Sequence, residues 1–175
     1  ERASDGRVIC TLCPHRCTMK EGQRGLCYIR GNQDGAVVLH SYGRSSGVAV
    51  DPIEKKPLFH FYPGSSVLSF GTVGCNLSCR FCQNWDISKA KIMERLGESL
   101  APEELVALAK KSGAKSIAYT YNDPVIFWEY ARDVALLAKR ENIKSVAVTA
   151  GYISSSAHED FFSVMDAANI DLKSF

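Results

Sequence analysis

The 175-residue sequence has no continuous apolar run of about 18 residues, the length a membrane-spanning helix needs. No secretory h-region is read in it, so a secreted protein is not expected. No internal repeat or low-complexity tract is present, which removes solenoids and compositionally biased linkers. Nor is there charge of one sign: 21 Lys and Arg stand against 19 Asp and Glu, a net charge of +2. The bases are scattered or interleaved with acids, as in Asp51-Pro52-Ile53-Glu54-Lys55-Lys56, which reads as ordinary solvated surface. Neither nucleic acid nor membrane is therefore expected as a partner. A closed disulfide framework is excluded as well, because seven cysteines is an odd number. Without a leader, so many cysteines imply a reducing cytoplasm in which thiolates bind metal. With 46% hydrophobic residues, what remains is soluble globular material for about one domain plus an appendage.

Three of the cysteines lie in Gly74-Cys75-Asn76-Leu77-Ser78-Cys79-Arg80-Phe81-Cys82, a C-x3-C-x2-C loop. Zinc prefers a closed tetrahedron of four ligands, and no further Cys or His lies between Gly64 and Gly97 to complete one. An iron–sulfur cluster ordinarily takes four cysteines, so three leave one iron open to another ligand. The loop follows Ser66-Val67-Leu68-Ser69-Phe70-Gly71, an apolar run that reads as a buried strand. Ligand sites of α/β folds lie at such strand ends.

Downstream the pattern alternates between helix and strand. Ala101–Lys111 carries Pro at its start, acids in its first turn, bases in its last and Gly113 beyond, which predicts a helix. Ser116–Tyr121 reads as the second strand, Pro124–Arg140 as a long amphipathic helix, Ser145–Thr149 as the third strand, His158–Ala167 as the third helix and Ile170–Lys173 as the fourth strand. Strands joined by helices give a parallel sheet with right-handed crossovers. The period of two places Tyr119 with Tyr121 on one face, and Asp171 with Lys173 on one face, where a plain ion pair is the simpler reading. Upstream, Ala36–His40 and Gly47–Val50 read as short strands of a small β appendage. His60 and the aromatics of Leu58–Tyr62 are expected to pack against the core.

Cys75, Cys79 and Cys82, with aromatic Phe81 between the last two, resemble the CxxxCxΦC motif of the radical S-adenosylmethionine (SAM) enzymes. That resemblance implies a [4Fe–4S] cluster on the three cysteines, chelation of its open iron by the amino and carboxylate groups of SAM, and reductive cleavage to methionine and a 5′-deoxyadenosyl radical. It also implies a partial (β/α) barrel, here an α/β core over 65–175 with an N-terminal Cys-rich β appendage over 1–64. A chain that begins at Glu1 and stops on a strand then suggests that about two further βα units follow. By the same resemblance Thr120, Tyr121, Asn122 and Asp123 would bind the SAM amino group, Asp171 and Lys173 of Asp171-Leu172-Lys173 would contact SAM as in glycyl-radical activating enzymes, and Phe81 would lie beside the adenine. No residue is assigned a catalytic role. Two positions depart from the relatives: Asp123 where Glu is more frequent, and Ala150 where Asn is. The span from Cys10 to Phe175 is similar to the radical SAM member of the AmmeMemoRadiSam group, itself similar to pyruvate formate-lyase activating enzymes.

The other four cysteines, Cys10, Cys13, Cys17 and Cys27, are spaced C-x2-C-x3-C-x9-C. The segment is too polar and short for a core of its own, so metal is expected there, zinc slightly ahead of a second cluster. His15, beside Pro14, reads as a surface residue.

Three functions follow. The first is an activase-like enzyme that takes hydrogen from a partner protein, with flavodoxin or ferredoxin as electron donor. A radical enzyme acting on a small molecule or nucleotide is the second. The third is a non-catalytic iron–sulfur electron carrier.

Overall fold

The structure, a computed structural model, describes residues 1–90 and 97–173. Strands β1 (Val8–Ile9) and β2 (Thr18–Met19) pair antiparallel, as do β3 (Arg30–Gln33) and β4 (Ala36–Leu39). Between the latter, Asp34 (φ 54°) and Gly35 (φ 71°) are both left-handed, as a two-residue type I′ hairpin turn requires. There follow β5 (Arg44–Ser45), β6 (Gly47–Pro52), β7 (Ser66–Gly71), α1 (Trp85–Ser88), and β8 (Glu98–Ser99), which pairs with β5. Then come α2 (Pro102–Lys111), β9 (Ser116–Tyr119), a 3-10 turn at Pro124–Phe127, α3 (Trp128–Arg140), β10 (Lys144–Thr149), α4 (Ser155–Phe162) and β11 (Ala167–Ile170).

Five strands make the central sheet, in the order β11-β10-β9-β7-β6. The first four are mutually parallel. Parallel strands covered on both faces read as nearly unbroken apolar runs, and β7 and β9 are buried almost throughout. Phe70 on β7 centres the main core, with its ring 5.2 Å from Tyr119, 5.8 Å from Phe127 and 5.5 Å from Tyr130. Helix α3 covers this side with Tyr130, Ala131, Val134, Ala135 and Ala138, spaced along one helical face. The start of α2 is fixed by Pro102 and by the Glu104 carboxylate, which accepts the Ala101 N–H at 2.7 Å. No helix among the described residues is long and apolar enough to cross a membrane.

The structure departs from expectation at several elements. Gly47–Pro52 joins the central sheet, antiparallel to β7, instead of standing in a separate appendage, since its period-two pattern suits an edge strand as well as a hairpin. The third helix is Ser155–Phe162 and the fourth strand Ala167–Ile170, so residues 171–173 lie just past the strand end. Short apolar runs do not fix such boundaries. Strand β9 ends at Tyr119; Tyr121 takes φ 70° and leaves the face that Tyr119 occupies. Of the lead-in aromatics, Phe61 packs on Ile53 and Val67, whereas Phe59, His60 and Tyr62 are exposed.

Asp51 and Lys56, read as solvated surface, are buried at 6% and 4% exposure. Lys56 Nζ lies 2.8 Å from Asp51 Oδ2, and Lys55 Nζ lies 2.7 Å from Oδ1. Ser69 Oγ donates to the same carboxylate at 2.9 Å. Burial pushes the Asp51 pKa up, but the hydrogen bonds from Lys55, Lys56 and Ser69 outweigh it and hold the group at about 2. A depressed carboxylate contributes stability above its unfolded pKa of about 4, and loses it as pH falls through about 2.

The sheet is also tied to the loop that follows β7. Asn122, buried, accepts the Thr72 N–H on Oδ1 at 3.2 Å, while its Nδ2 donates to Thr72 Oγ1 at 3.0 Å, Val73 O at 3.3 Å and Gly74 O at 2.9 Å. A Cβ on Gly71 would stand 2.3 Å from Thr120 O, so only glycine admits this approach of β7 to the end of β9.

Two outcomes are expected in urea melts. Asp51→Asn leaves buried Lys56 without its countercharge and costs about 3–5 kcal/mol at neutral pH; the deficit relative to wild type shrinks as pH drops from about 4 toward about 2, and a deficit constant over that range contradicts the assignment. Asn122→Ala strands buried Thr72 and Gly74 groups and costs about 1–3 kcal/mol.

Candidate cluster and cofactor site

Every parallel strand delivers a polar loop to the same end of the sheet. The Cys75–Cys82 loop follows β7, Thr120–Asp123 follows β9, Thr149–Ala150 closes β10, and Asp171–Lys173 follows β11. All four meet on one open cavity of about 400 Å³. Among its described lining residues are Cys75, Cys79 and Cys82, and no other cysteine or histidine.

The loop is shaped by its neighbours. Gly74 sits at φ 78°, and a Cβ there would lie 2.1 Å from Cys27 O, so the turn into Cys75 demands glycine. Asn76 Nδ2 donates to Tyr152 O at 2.9 Å, and His15 Nε2 donates to Asn76 O at 2.8 Å. Cys82 Sγ is 3.3 Å from Ser88 Oγ on α1. Asn84 Nδ2 donates to Tyr121 O at 2.9 Å, joining the far end of the loop to the strained residue after β9. Burial raises the Cys75 thiol pKa, so the ionised form needs a cation to hold it. Three thiols with no fourth sulfur or imidazole beside them are the donor set of a cluster with one open iron, and the residues fit that group.

The other predicted residues all line the cavity, in different ways. Phe81 is 66% exposed on its wall, free to stack. Thr120 is buried, and Tyr121 faces Lys56 Nζ at 5.2 Å from its ring centre. Asn122 spends its polar atoms on the 72–74 backbone and Thr72. Asp123 accepts from Thr149 Oγ1 at 2.8 Å, Ala150 N at 3.0 Å and Val125 N at 3.1 Å; burial raises its pKa against these donors and the Lys173 charge. Asp123 thus ties β9 to β10 and caps the 3-10 turn. Lys173 Nζ pairs with Asp171 Oδ2 at 2.9 Å, and Asn169 Nδ2 donates to Asp171 Oδ1 at 2.7 Å, so the ion pair foreseen for these two is present. Hydrogen bonding to Asp171 raises the Lys173 pKa.

Sequence reasoning missed Lys55, Gln83, Asn84, Ser88 and Thr149 on this lining. Gln83 and Asn84 follow the motif immediately and were within reach of it; Lys55 arrives from the segment ahead of β7, and no local pattern signals that.

The four N-terminal cysteines meet elsewhere, on a small cavity shared with His15 and Asn76. Burial pushes the Cys27 thiol pKa to about 11 and raises that of Cys13. Among the described residues no three His, Cys, Asp or Glu stand ready to hold a single metal ion.

The chain is 40% identical over 173 residues to the uncharacterized protein MJ0808 of Methanocaldococcus jannaschii, covering 99% of this chain and 51% of that protein. It is 27% identical over 121 residues to the uncharacterized protein MJ0674 of the same organism, covering 66% of this chain and 31% of that one. It therefore spans about half the length, or less, of these relatives. The crystal structure of QueE from Escherichia coli is similar at a TM-score of 0.46 and 12% identity, over 64% of this chain and 54% of that one. The family model described as the radical SAM superfamily matches residues 70–175, more than half of the sequence and every strand end that lines the cavity, and the chain belongs to that superfamily.

Proposed function

We propose that this chain carries the cluster and cofactor site of a radical SAM enzyme, with Cys75, Cys79 and Cys82 as the three protein ligands of a [4Fe–4S] cluster and SAM seated across the ends of β9, β10 and β11. The observation that carries this is the convergence of three thiols and all four parallel-strand ends on one 400 Å³ cavity. A [4Fe–4S] cluster bound there would supply, once reduced, the electron that splits the SAM sulfonium to methionine and a 5′-deoxyadenosyl radical able to take a hydrogen atom from substrate. The chain's own part is to hold the reactants. Asp171 offers a half-exposed carboxylate to the SAM ammonium, and Lys173 an ammonium to its carboxylate. Phe81 gives the adenine an apolar face, and Thr120 and Tyr121 border the same space. Asn122 and Asp123 act one step back, as positioning residues: the first fixes the entry to the cysteine loop, the second holds β9 to β10. Close placement of cofactor against cluster is what such scaffolding achieves.

The alternating βα order and four parallel strands support reading the core as the first part of a (β/α) barrel. A partner protein as hydrogen donor, in the manner of glycyl-radical activases, is supported by Asp171-Leu172-Lys173 and by the open mouth of the cavity with Phe81 exposed on its wall. The seven free thiols suit a reducing cytoplasm, with flavodoxin or ferredoxin supplying the electron.

Full-length protein, reconstituted anaerobically with iron and sulfide, reduced and given SAM, is expected to release 5′-deoxyadenosine and methionine, while Cys82→Ala does not. Equal deoxyadenosine from both sinks the radical reading and leaves an electron carrier. Replacing Cys75, Cys79 and Cys82 together by Ala should remove one four-iron cluster. Separately, Asp171→Ala and Lys173→Ala should weaken SAM binding about tenfold or more with the cluster absorption intact, because hydrogen bonds to charged groups contribute about 1.5–3 kcal/mol. Unchanged affinity in both variants leaves the pair a structural contact only.

A further inference from the structure

The second set of cysteines occupies a site of a different kind. Cys10, Cys13, Cys17 and Cys27 all border one small cavity of about 20 Å³, walled by Leu12, Met19 and Ile126. They reach it from separate turns. Cys10 follows β1, Cys13 and Cys17 bracket the turn into β2, and Cys27 lies in the loop before β3. The backbone is already shaped around them: Cys10 N–H donates to Cys17 O at 3.0 Å, and Arg16, at φ 44°, donates its N–H to Cys13 O at 3.1 Å. Leu26 N–H donates to Cys17 Sγ at 3.4 Å, an amide aimed at a sulfur, as outer-shell donors to ligating atoms are. Gly25 packs close to Cys17 Sγ and Met19 Sδ, each 3.4 Å from where a Cβ would stand.

Size decides which metal. A cavity needs about 10–15 Å³ to take one water-sized body, so about 20 Å³ suits a single ion better than a four-iron cubane. Four thiolates at about 2.3 Å are the ligand set of structural zinc. The thiols stand around the cavity without yet converging to bonding distance, and side-chain rotation coupled to loss of their protons would close them on an ion. His15 borders the same cavity and donates through Nε2 to Asn76 O, while the four sulfurs by themselves make up a full tetrahedral set.

We propose that Cys10, Cys13, Cys17 and Cys27 bind one Zn²⁺ that buttresses the Cys75–Cys82 loop. The mechanical link is direct. Cys27 O packs on Gly74, and His15, between Cys13 and Cys17, holds Asn76 O, so the segment carrying the zinc grips the backbone on both sides of Cys75. Arg30, also on the cavity wall, donates to Ile126 O at 2.8 Å and pairs with Glu129 on α3, fastening the segment to the core. The site stands independently of SAM cleavage.

The test is metal analysis of full-length protein purified anaerobically. Wild type and the Cys75/Cys79/Cys82→Ala variant should each carry about one zinc per chain. Cys10→Ser with Cys17→Ser should lose it, with a lower Tm and less iron taken up by the remaining loop on reconstitution. Wild type without zinc, zinc unchanged in the double variant, or further iron that disappears with these four cysteines overturns the proposal. Should the double variant not fold, the wild type still decides: cobalt(II) substitution should give the absorption of a tetrahedral tetrathiolate site, and Cys10, Cys13, Cys17 and Cys27 should resist alkylation until a chelator is added. Ready alkylation without chelator, or a zinc-free protein with unaltered Tm, overturns it as well.

Discussion

One side-chain amide joins the sheet to the cysteine loop. Asn122 has two N–H groups on Nδ2 and three acceptors around them, Thr72 Oγ1, Val73 O and Gly74 O, with Thr72 N–H returning a bond to Oδ1. The loop that must present three thiols is thereby fixed to the end of the neighbouring strand before its first cysteine. No other residue type supplies donor and acceptor at that reach, and Asp would set a charge against two carbonyl oxygens. Gly71 completes the arrangement by letting Thr120 O come within what would be a Cβ's contact sphere. Elements of the cavity wall therefore depend on one another's backbone positions, and a change at 71 or 122 acts on the cysteines without touching them.

Buried charge beneath the cavity follows a similar logic. Asp51 carries two lysines and a serine hydroxyl, and Lys56 faces the Tyr121 ring on its other side. This places a hydrogen-bonded network beside a wall residue held in the left-handed region, Tyr121 at φ 70°. Asp123 is held in the opposite manner, by neutral donors, and its raised pKa records how far burial outruns them. Asp at 123 fits this role, since its short side chain reaches Val125 N in its own turn while still spanning to Thr149 and Ala150.

The site was legible in the sequence where its residues are adjacent and obscure where the fold assembles them. Cys75, Cys79 and Cys82 sit on one loop, and the strand before it is apolar enough to declare itself, so position and chemistry could be read together. Asp171 and Lys173 were found as a motif, although the strand was drawn three residues late, because a short apolar run has no sharp ends. Lys55 and Lys56 escaped notice: charges interleaved with acids look solvated, and only the pairing of β6 with β7 folds Asp51 and Lys56 inward. The same pairing turned a supposed appendage strand into a sheet edge. Asn122 was read as a ligand contact and does line the cavity, but the hydrogen bonds that fix it run to partners about fifty residues away, which register alone brings near.

The Asp171–Lys173 pair shows why the plain and the functional readings of one contact need not compete. Its side chains are each 36% exposed, so solvent screens the attraction and the pair contributes little to stability, about 0–1 kcal/mol. A weak pair separates readily. Lys173 is held in its protonated form chiefly by the hydrogen bond to Asp171. A zwitterionic amino acid group entering the cavity could meet both partners at once, ammonium to Asp171 and carboxylate to Lys173, replacing one screened contact by two in a site that it also dries. On the proposed reading the pair keeps both side chains on the cavity wall until then, and its modest strength lets that exchange proceed.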